Sequence, residues 1–479
     1  MIRIPSLRLG KPYESLSKAT LLHHVSGDPV AEVSQITGSQ IMRDISKMDQ
    51  ARRELAAIPM ADLLKRVKAA AGHFLNDTLP CGDSQQSFDD YIRSLSSTTG
   101  SPMVFCRKNA AKVAYVMGNI DEILAGLTRG LDLSVLDKGH ATQDGRTICF
   151  YPATHSLGAI LPSNSPGVHS LWVPAIALKI PLVIKPGREE PWTPYRLLMA
   201  YQKAGIPSSC LNFFPTDHAG SADILRGCGR SLLFGDSTTT DPYKNDHRVE
   251  LHGPGYSKIL LAADTSAHFE NYLELIVESI AANGGRSCIN ASAIYTHSHG
   301  RQLAEALAAR LAKVKARAWD DPQAEISAFA NPDVADRISG MIDGLLKTPG
   351  AEDLCEAARG TPRVYKEGRC AWLLPSVVHC DSSEHPLANK EFLFPYASVI
   401  ECPQDEMLAR IGPSLVVSAI TGDPDFSQQL LDCPLVERLN IGAISTVKVS
   451  WDQPHEGNLF THLYKQRAYA ESPLPVGTI

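Results

Sequence analysis

A chain of 479 residues with a formal net charge of −6 carries no basic excess that would draw it to nucleic acid or to an anionic membrane surface. Its 11 cysteines stand singly, with no CxxC pair and no metal-type spacing, so neither a disulfide framework nor a metal site is expected. The odd thiol count, and a start from Met1 to Arg8 with no apolar run of signal-peptide length, point to reduced thiols in a cytoplasmic protein.

The early part of the chain reads as helical. Leu63, Leu64, Val67, Ala71 and Phe74 form one apolar stripe, and Val116, Ile120, Ile123, Leu124 and Leu127 form another. Asp144-Gly145 is a hairpin signal, and Thr147 to Tyr151 suits a strand. From Leu157 onward short apolar strands alternate with helices. Strands are expected at 157–161, 181–184, 211–214 and 231–234, with helical stretches at 170–177, 195–204 and 219–226 between them. Such alternation implies a parallel sheet covered on both faces, with ligands bound off the carboxyl ends of its strands. No G-x-G-x-x-G fingerprint follows any of them. The most apolar stretch, Leu171 to Ile184, is broken by Pro174, Lys179 and Pro181, which argues against a membrane span.

The turn cluster His252-Gly253-Pro254-Gly255 marks a boundary. A second α/β region follows, with strands at 259–262 and 293–295 and an alanine-rich helix at 302–314. Between those strands Phe269, Leu273, Ile276 and Ile280 recur at helical spacing, with Glu270, Glu274 and Glu278 among them. Asn283-Gly284-Gly285 then breaks the helix with residues that tolerate positive φ, and Cys288 lands on the turn beyond. A thiol placed there can face a cleft and act as a nucleophile, or it can be a small buried hydrophobe. Arg286 could lower its pKa, bind an anionic substrate, or pair with the helix glutamates. The segment from about Trp451 to Ile479 is polar and proline-punctuated, and is expected to dock on a neighbouring subunit.

These landmarks fall in one order: Pro162-Ser163-Asn164-Ser165-Pro166, Lys185-Pro186-Gly187, Phe234-Gly235-Asp236-Ser237, Glu250-Leu251-His252-Gly253, Cys288, and Glu391-Phe392-Leu393-Phe394-Pro395. In that order and spacing the chain resembles the aldehyde dehydrogenase superfamily, as a divergent member. The resemblance implies an α/β fold of two Rossmann-like parallel-sheet domains: a nucleotide-binding domain at 1–141 and 153–252, and a catalytic domain at 253–444. An oligomerisation hairpin and tail at 142–152 and 445–479 would make a homodimer or larger homo-oligomer. It also implies an oxidoreductase that uses NAD or NADP on a small-molecule aldehyde or acyl thioester.

Site roles follow residue by residue from that resemblance. Cys288 matches the nucleophile that forms a thiohemiacetal or thioacyl enzyme, and Asn164 the oxyanion-hole amide. Lys185, and Gly235 and Ser237 of the next turn, match positions along the cofactor, and Glu391 the glutamate on the nicotinamide ribose. Arg188 stands where it could accept a 2′-phosphate, which tips the reading toward NADP, although Glu189 or Glu190 could bind a 2′-hydroxyl instead. Glu250 fits the general base of hydrolytic members, but Gly253-Pro254-Gly255 resembles the turn of CoA-acylating ones, in which case Glu250 is a strand residue without a chemical task. Ser237 to Glu250 is short, and Pro242 and Asn245-Asp246 discourage a long helix there, as in acyl-CoA reductases of the bioluminescence type. Acyl-CoA reduction, with CoA as co-substrate, and a non-catalytic scaffold of the same fold therefore stay open as alternatives.

Overall fold

Two seven-stranded sheets carry most of the fold in this computed structural model, which describes residues 1–164 and 166–472. In the first sheet, β1 (Leu157–Ile160), β2 (Leu182–Lys185), β3 (Leu211–Phe213), β4 (Arg230–Phe234) and β5 (Val249–His252) run parallel in the order β5-β4-β1-β2-β3. All four residues of β1 are buried, as expected for a strand covered on both faces. The register pairs Ile160 with Lys185 and with Leu233, and Phe234 with His252. The Pro162, Pro186, Gly235 and Gly253 turns consequently leave the sheet along one edge, the edge where parallel sheets bind ligands.

The sheet is extended by a part of the chain that gave no strand signal. Ser6–Arg8 pairs antiparallel with β3, and Lys11–Tyr13 pairs with Ser6–Arg8. These strands have three residues each, too short to show alternation. The first expected early helix is present at Met60–Asn76; the second stripe is broken at Asn119, with Val116 in α1 (Met103–Gly118) and the rest in Ile120–Leu127. The stretch expected as one helix at 170–177 is instead a 3-10 segment, Pro166–Leu171, followed by the single turn Pro174–Ala177, which Pro174 opens at its first position.

The second sheet runs Ala351–Asp353, β8 (Ser376–Cys380), β9 (Tyr396–Glu401), β7 (Ala293–Thr296), β6 (Lys258–Leu261), β10 (Ser414–Ile420), β11 (Val436–Ile441). All neighbours are parallel except the first pair. The helix Gly300–Leu311 covers one face by burying Leu303, Ala304, Leu307, Ala308 and Leu311.

A third, small sheet joins the hairpin to the tail. His140–Gln143 and Arg146–Pro152 form the hairpin, and Tyr464–Gln466 adds antiparallel to its second strand. Asp144 and Gly145 both have positive φ, 50° and 73°, as a two-residue type I′ turn requires. The short 237–250 segment holds one four-residue helical turn, Ser237–Thr240, and a 3-10 turn, Asp241–Tyr243. Among the described residues no helix is long and apolar enough to cross a membrane.

Candidate active site

Cys288 is positioned by a tight run of left-handed backbone. Helix α2 (Leu273–Ala281) ends, and Asn283, Gly284 and Gly285 follow with φ of 55°, 66° and 67°. A side chain at Gly285 would meet the Pro395 nitrogen at 2.4 Å, so the 391–395 loop packs directly on this turn. Asn109 of α1 donates to the Asn283 side-chain oxygen at 2.9 Å, and Ser287 N–H donates to Asn290 Oδ1 at 2.9 Å. A Cβ on Gly255 would lie 2.0 Å from the Cys288 carbonyl, which also accepts from Ser257 Oγ at 2.7 Å. The Gly253-Pro254-Gly255 turn is thus the collar that fixes the cysteine backbone, a close approach that only glycine permits.

The thiol opens into a chamber of about 530 Å³. Its wall includes Asn164, Gly235, Glu391 and Phe392, and Lys112 of α1. Asn164 Nδ2 donates to the Arg286 carbonyl at 3.0 Å, which holds the amide beside the Cys288 turn and leaves its second N–H. Glu391 Oε2 accepts from Tyr256 N–H at 2.6 Å, and burial pushes its carboxyl up to about 7 against the pull of the Tyr256 and Gly255 amides and Lys258.

Among the described residues Arg286 neither pairs with the helix glutamates nor lowers the Cys288 pKa, and it lines the chamber. Its guanidinium donates to the Ser327 and Ala328 carbonyls at 3.1 Å and to Leu393 at 3.3 Å, and stacks over Phe329 at 4.3 Å. It braces the turn through these backbone carbonyls and also lines the chamber. The Cys288 thiol is not acidified. Burial, then the negative charges of Glu456 and Glu391, push it well above its ordinary range.

What faces the thiol is a cluster that sequence reading did not find. His455 Nε2 stands 3.8 Å from Cys288 Sγ and 3.4 Å from Glu456 Oε2. Ligating atoms of Cys288, His455 and Glu456 all fall within 4.8 Å of one another. Glu456 Oε2 also accepts from His252 Nδ1 at 2.6 Å, and His252 Nε2 lies 3.2 Å from Glu250 Oε1. His252 stacks on Phe234, with centroids 4.3 Å apart. Burial opposes the charge on His252, but Glu456 and Glu250 outweigh it and push the ring up to about 10. Burial would raise Glu456, yet the charge of His252 outweighs it and holds the carboxyl below its ordinary range. His455 itself is lowered by burial, against the attraction of Glu456. The resting arrangement is a neutral thiol, a neutral His455 and a fixed ion triad of Glu456, His252 and Glu250.

Glu250 lies on the far side of that triad. Its carboxylate borders a second cavity of about 30 Å³ with Gly457 and Leu459, and it is not part of the chamber wall. Burial would raise Glu250, but its contact with His252 and the charges of His252 and His462 keep it below its ordinary value. A Cβ on Gly457 would come within 2.1 Å of Glu250 Oε2, so the tail packs closely against this carboxylate. The tail segment thereby brings Val447, Val449, Trp451, His455 and Glu456 to the chamber, a task beyond the docking expected of 445–479.

The remaining predicted positions lie along the sheet edge outside the chamber wall. Lys185 ends β2, with burial lowering its ammonium against the pull of Glu189. Arg188 is exposed, as is Ser237 at the start of the one-turn helix. Asp236 caps that helix by accepting from Thr239 N–H at 2.9 Å. Ser165 lies outside the described residues.

The sequence model of the aldehyde dehydrogenase family matches residues 13–412. The chain belongs to this family. It is 24% identical over 256 residues to N-succinylglutamate 5-semialdehyde dehydrogenase of Vibrio cholerae serotype O1 (strain M66-2), across 50% of this chain and 49% of that one. It is 28% identical over 151 residues to phenylacetaldehyde dehydrogenase of Pseudomonas fluorescens, covering 29% and 30% of the two chains. The chain therefore spans about half the length of the first of these curated relatives, and less of the second. The aldehyde dehydrogenase fold extends across nearly the whole chain. The aldehyde dehydrogenase KauB of Pseudomonas aeruginosa superposes with a TM-score of 0.79 at 15% identity, covering 98% of this chain and 96% of that one. Aldehyde dehydrogenase 21 of Physcomitrella patens, solved with succinate, gives 0.78 at 15% identity over 97% of each chain. Sequence divergence within this aldehyde dehydrogenase fold is thus large, and site roles rest on the geometry above.

Proposed function

We propose that this aldehyde dehydrogenase family member oxidises an aldehyde with NAD or NADP through a covalent intermediate on Cys288. The observation that carries the reading is a partly exposed thiol on a rigid turn, in a chamber whose wall also holds the Asn164 amide. Cys288 Sγ attacks the aldehyde carbon. The Asn164 N–H that Arg286 does not use, and the Cys288 backbone N–H, stabilise the oxyanion that develops. The Arg286 brace and the Gly255 collar hold the thiol and this donor in register, so reorganisation at attack is small.

The residues fit a nicotinamide dinucleotide at two of its parts. Lys185 offers a cation at the carboxyl end of a parallel strand, and Glu391 offers a carboxylate in the chamber wall. At the helix that follows β4, Asp236 fills the N-terminal amide position with its own carboxylate, so pyrophosphate contacts come from elsewhere along the edge. When bound, the dinucleotide accepts the hydride from the substrate carbon. Arg188, exposed beyond Lys185, supports acceptance of a 2′-phosphate. Gly235 lines the chamber, where a Cβ would meet the Thr239 side chain at 2.7 Å, and Ser237 begins the adjoining turn. One solved neighbour is a 3,6-anhydro-L-galactose dehydrogenase in complex with NAP, in keeping with this cofactor class.

Lys112 in the wall suits an acidic semialdehyde, and Phe392 and Trp451 suit an aromatic one, the two kinds named by the relatives. The hairpin strand His140–Gln143 forms the outer edge of the small sheet, and we place a homo-oligomer contact there, in the cytoplasm.

The test is an assay of both aldehydes with NAD+ and NADP+, with and without free CoA. Acid formed without CoA, with a thioacyl adduct trapped on Cys288, supports the reading. Reduced cofactor that appears only with CoA would favour the acylating alternative. Failure of either cofactor to bind would favour the scaffold.

A further inference from the structure

We infer that His455 is the base for Cys288 and then for water, with Glu456 and His252 as its positioning residues, where the family resemblance makes the Glu250 carboxylate the base for water. The inference rests on the covalent reading above and deepens it.

The geometry points to His455 for three reasons. Its Nε2 is the ring nitrogen 3.8 Å from the sulfur. The thiol is neutral at rest and needs a proton acceptor before it can attack, since the thiolate is the nucleophile. Third, His455 Nδ1 is buried without a protein partner, and the ring borders both the chamber and the small cavity. An Nδ1–H tautomer leaves the Nε2 lone pair for the thiol. The cavity beside it, about 30 Å³, has room for one water to accept from Nδ1. Glu250 offers no such route, because its carboxylate meets His252 and Gly457 and does not reach the chamber wall. Glu456 and His252, held at 2.6 Å, place a negative charge 3.4 Å from Nε2, where it stabilises the imidazolium once the proton has moved.

The steps balance without a further reagent. At attack the Sγ–H proton passes to Nε2, a C–S bond forms, and the carbonyl π pair moves to oxygen. Collapse of the alkoxide, with loss of hydride from its carbon to the nicotinamide cofactor that would be bound there, gives the thioester; the His455 imidazolium then releases its proton to solvent, and the freed Nε2 takes a proton from water. The water oxygen bonds to the acyl carbon, the C–S bond breaks, and sulfur leaves as thiolate, which recovers the proton.

Iodoacetamide alkylation of Cys288, followed by peptide mass spectrometry on the full chain, tests the inference without substrate or cofactor. Cys433, the other partly exposed thiol, is the internal reference. The charged groups that face His455 are Glu456, His252 and Glu250, Arg438 of β11, and the thiol itself. Near pH 7 His455→Ala and His455→Gln are each expected to slow Cys288 labelling at least about tenfold, recovering as rising hydroxide replaces the base. Glu250→Gln should change it less than about threefold, and Cys433 should be unaffected in all. In turnover, His455→Gln should lower kcat about 10²- to 10⁴-fold with KM little changed. Labelling of both folded His455 variants at the wild-type rate across the pH range overturns the inference, as does a loss confined to Glu250→Gln. If no aldehyde is turned over but the labelling contrast holds, the oxidation reading fails and the His455 assignment stands.

Discussion

At Cys288, side chains from distant parts of the chain form a series of short contacts: His455 and Glu456 from the tail beside the thiol, then His252 and Glu250 from β5, with Asn164 from the turn after β1 held on the Arg286 carbonyl. Along the Lys185–Ser237 edge of the same first sheet the candidate cofactor groups are spread out, and Arg188 and Ser237 are exposed. On the proposed function, the contrast follows from what each region has to do. Making and breaking a C–S bond needs groups that are desolvated and fixed before the substrate arrives, because reorganisation during the reaction raises the barrier. Holding a dinucleotide needs contacts that the ligand itself completes, and these lose little by waiting in water.

Substitutions at the two ends should therefore differ in size. The largest effect belongs to Cys288→Ala, which removes the covalent route and should cost at least about 10⁴-fold in turnover. Circular dichroism should be unchanged, because the residue sits on a turn with its thiol partly exposed. Full activity in that variant would dissolve the comparison, since the crowded end would then be structural. Asn164→Ala removes one oxyanion donor and should lower kcat about 10²- to 10³-fold with a smaller change in KM.

Glu391 lies between the two regions and gives a stability signature. Its folded carboxyl is raised to about 7 from an ordinary 4.5. A raised group contributes stability that is complete below its unfolded pKa and is lost as pH rises through the folded one. Wild-type melting temperature should thus fall between about pH 4.5 and 7 relative to Glu391→Gln, whose amide oxygen still accepts from Tyr256. Parallel melting curves for the two proteins over that range would show that the carboxyl is not buried as described. The smallest effect is expected at the spread end: Arg188→Ala should reduce the preference for NADP+ over NAD+ by about tenfold or less, because an exposed cation is screened by water and salt. Cofactor titration by fluorescence measures it, and a larger loss would mean that the edge is as tightly built as the thiol end.

The alternation of strands and helices from Leu157, the parallel sheets and the left-handed turn before Cys288 were legible in the sequence, because each depends on local signals: apolar runs of four or five residues, and Asn283-Gly284-Gly285 at a helix end. The hairpin at Asp144-Gly145 was legible for the same reason. The order of motifs along the chain was enough to suggest the family. The strands Ser6–Arg8 and Lys11–Tyr13 were not legible, since three residues cannot show a period. Nor was the cluster at the thiol. His455-Glu456-Gly457 is an ordinary polar tripeptide in sequence, 167 positions from Cys288, and it becomes chemical only when the tail folds back over β5. Acidification of the thiol by Arg286 was misjudged because charge two residues from a thiol says nothing of direction. Tertiary structure turned that guanidinium onto the Ser327, Ala328 and Leu393 carbonyls. It also turned Glu250 toward His252 and away from the chamber, where packing against Gly457 decides what the carboxylate can reach. Local sequence sets φ, ψ and periodicity, whereas the partners of a buried charge are chosen by segments far away in the chain.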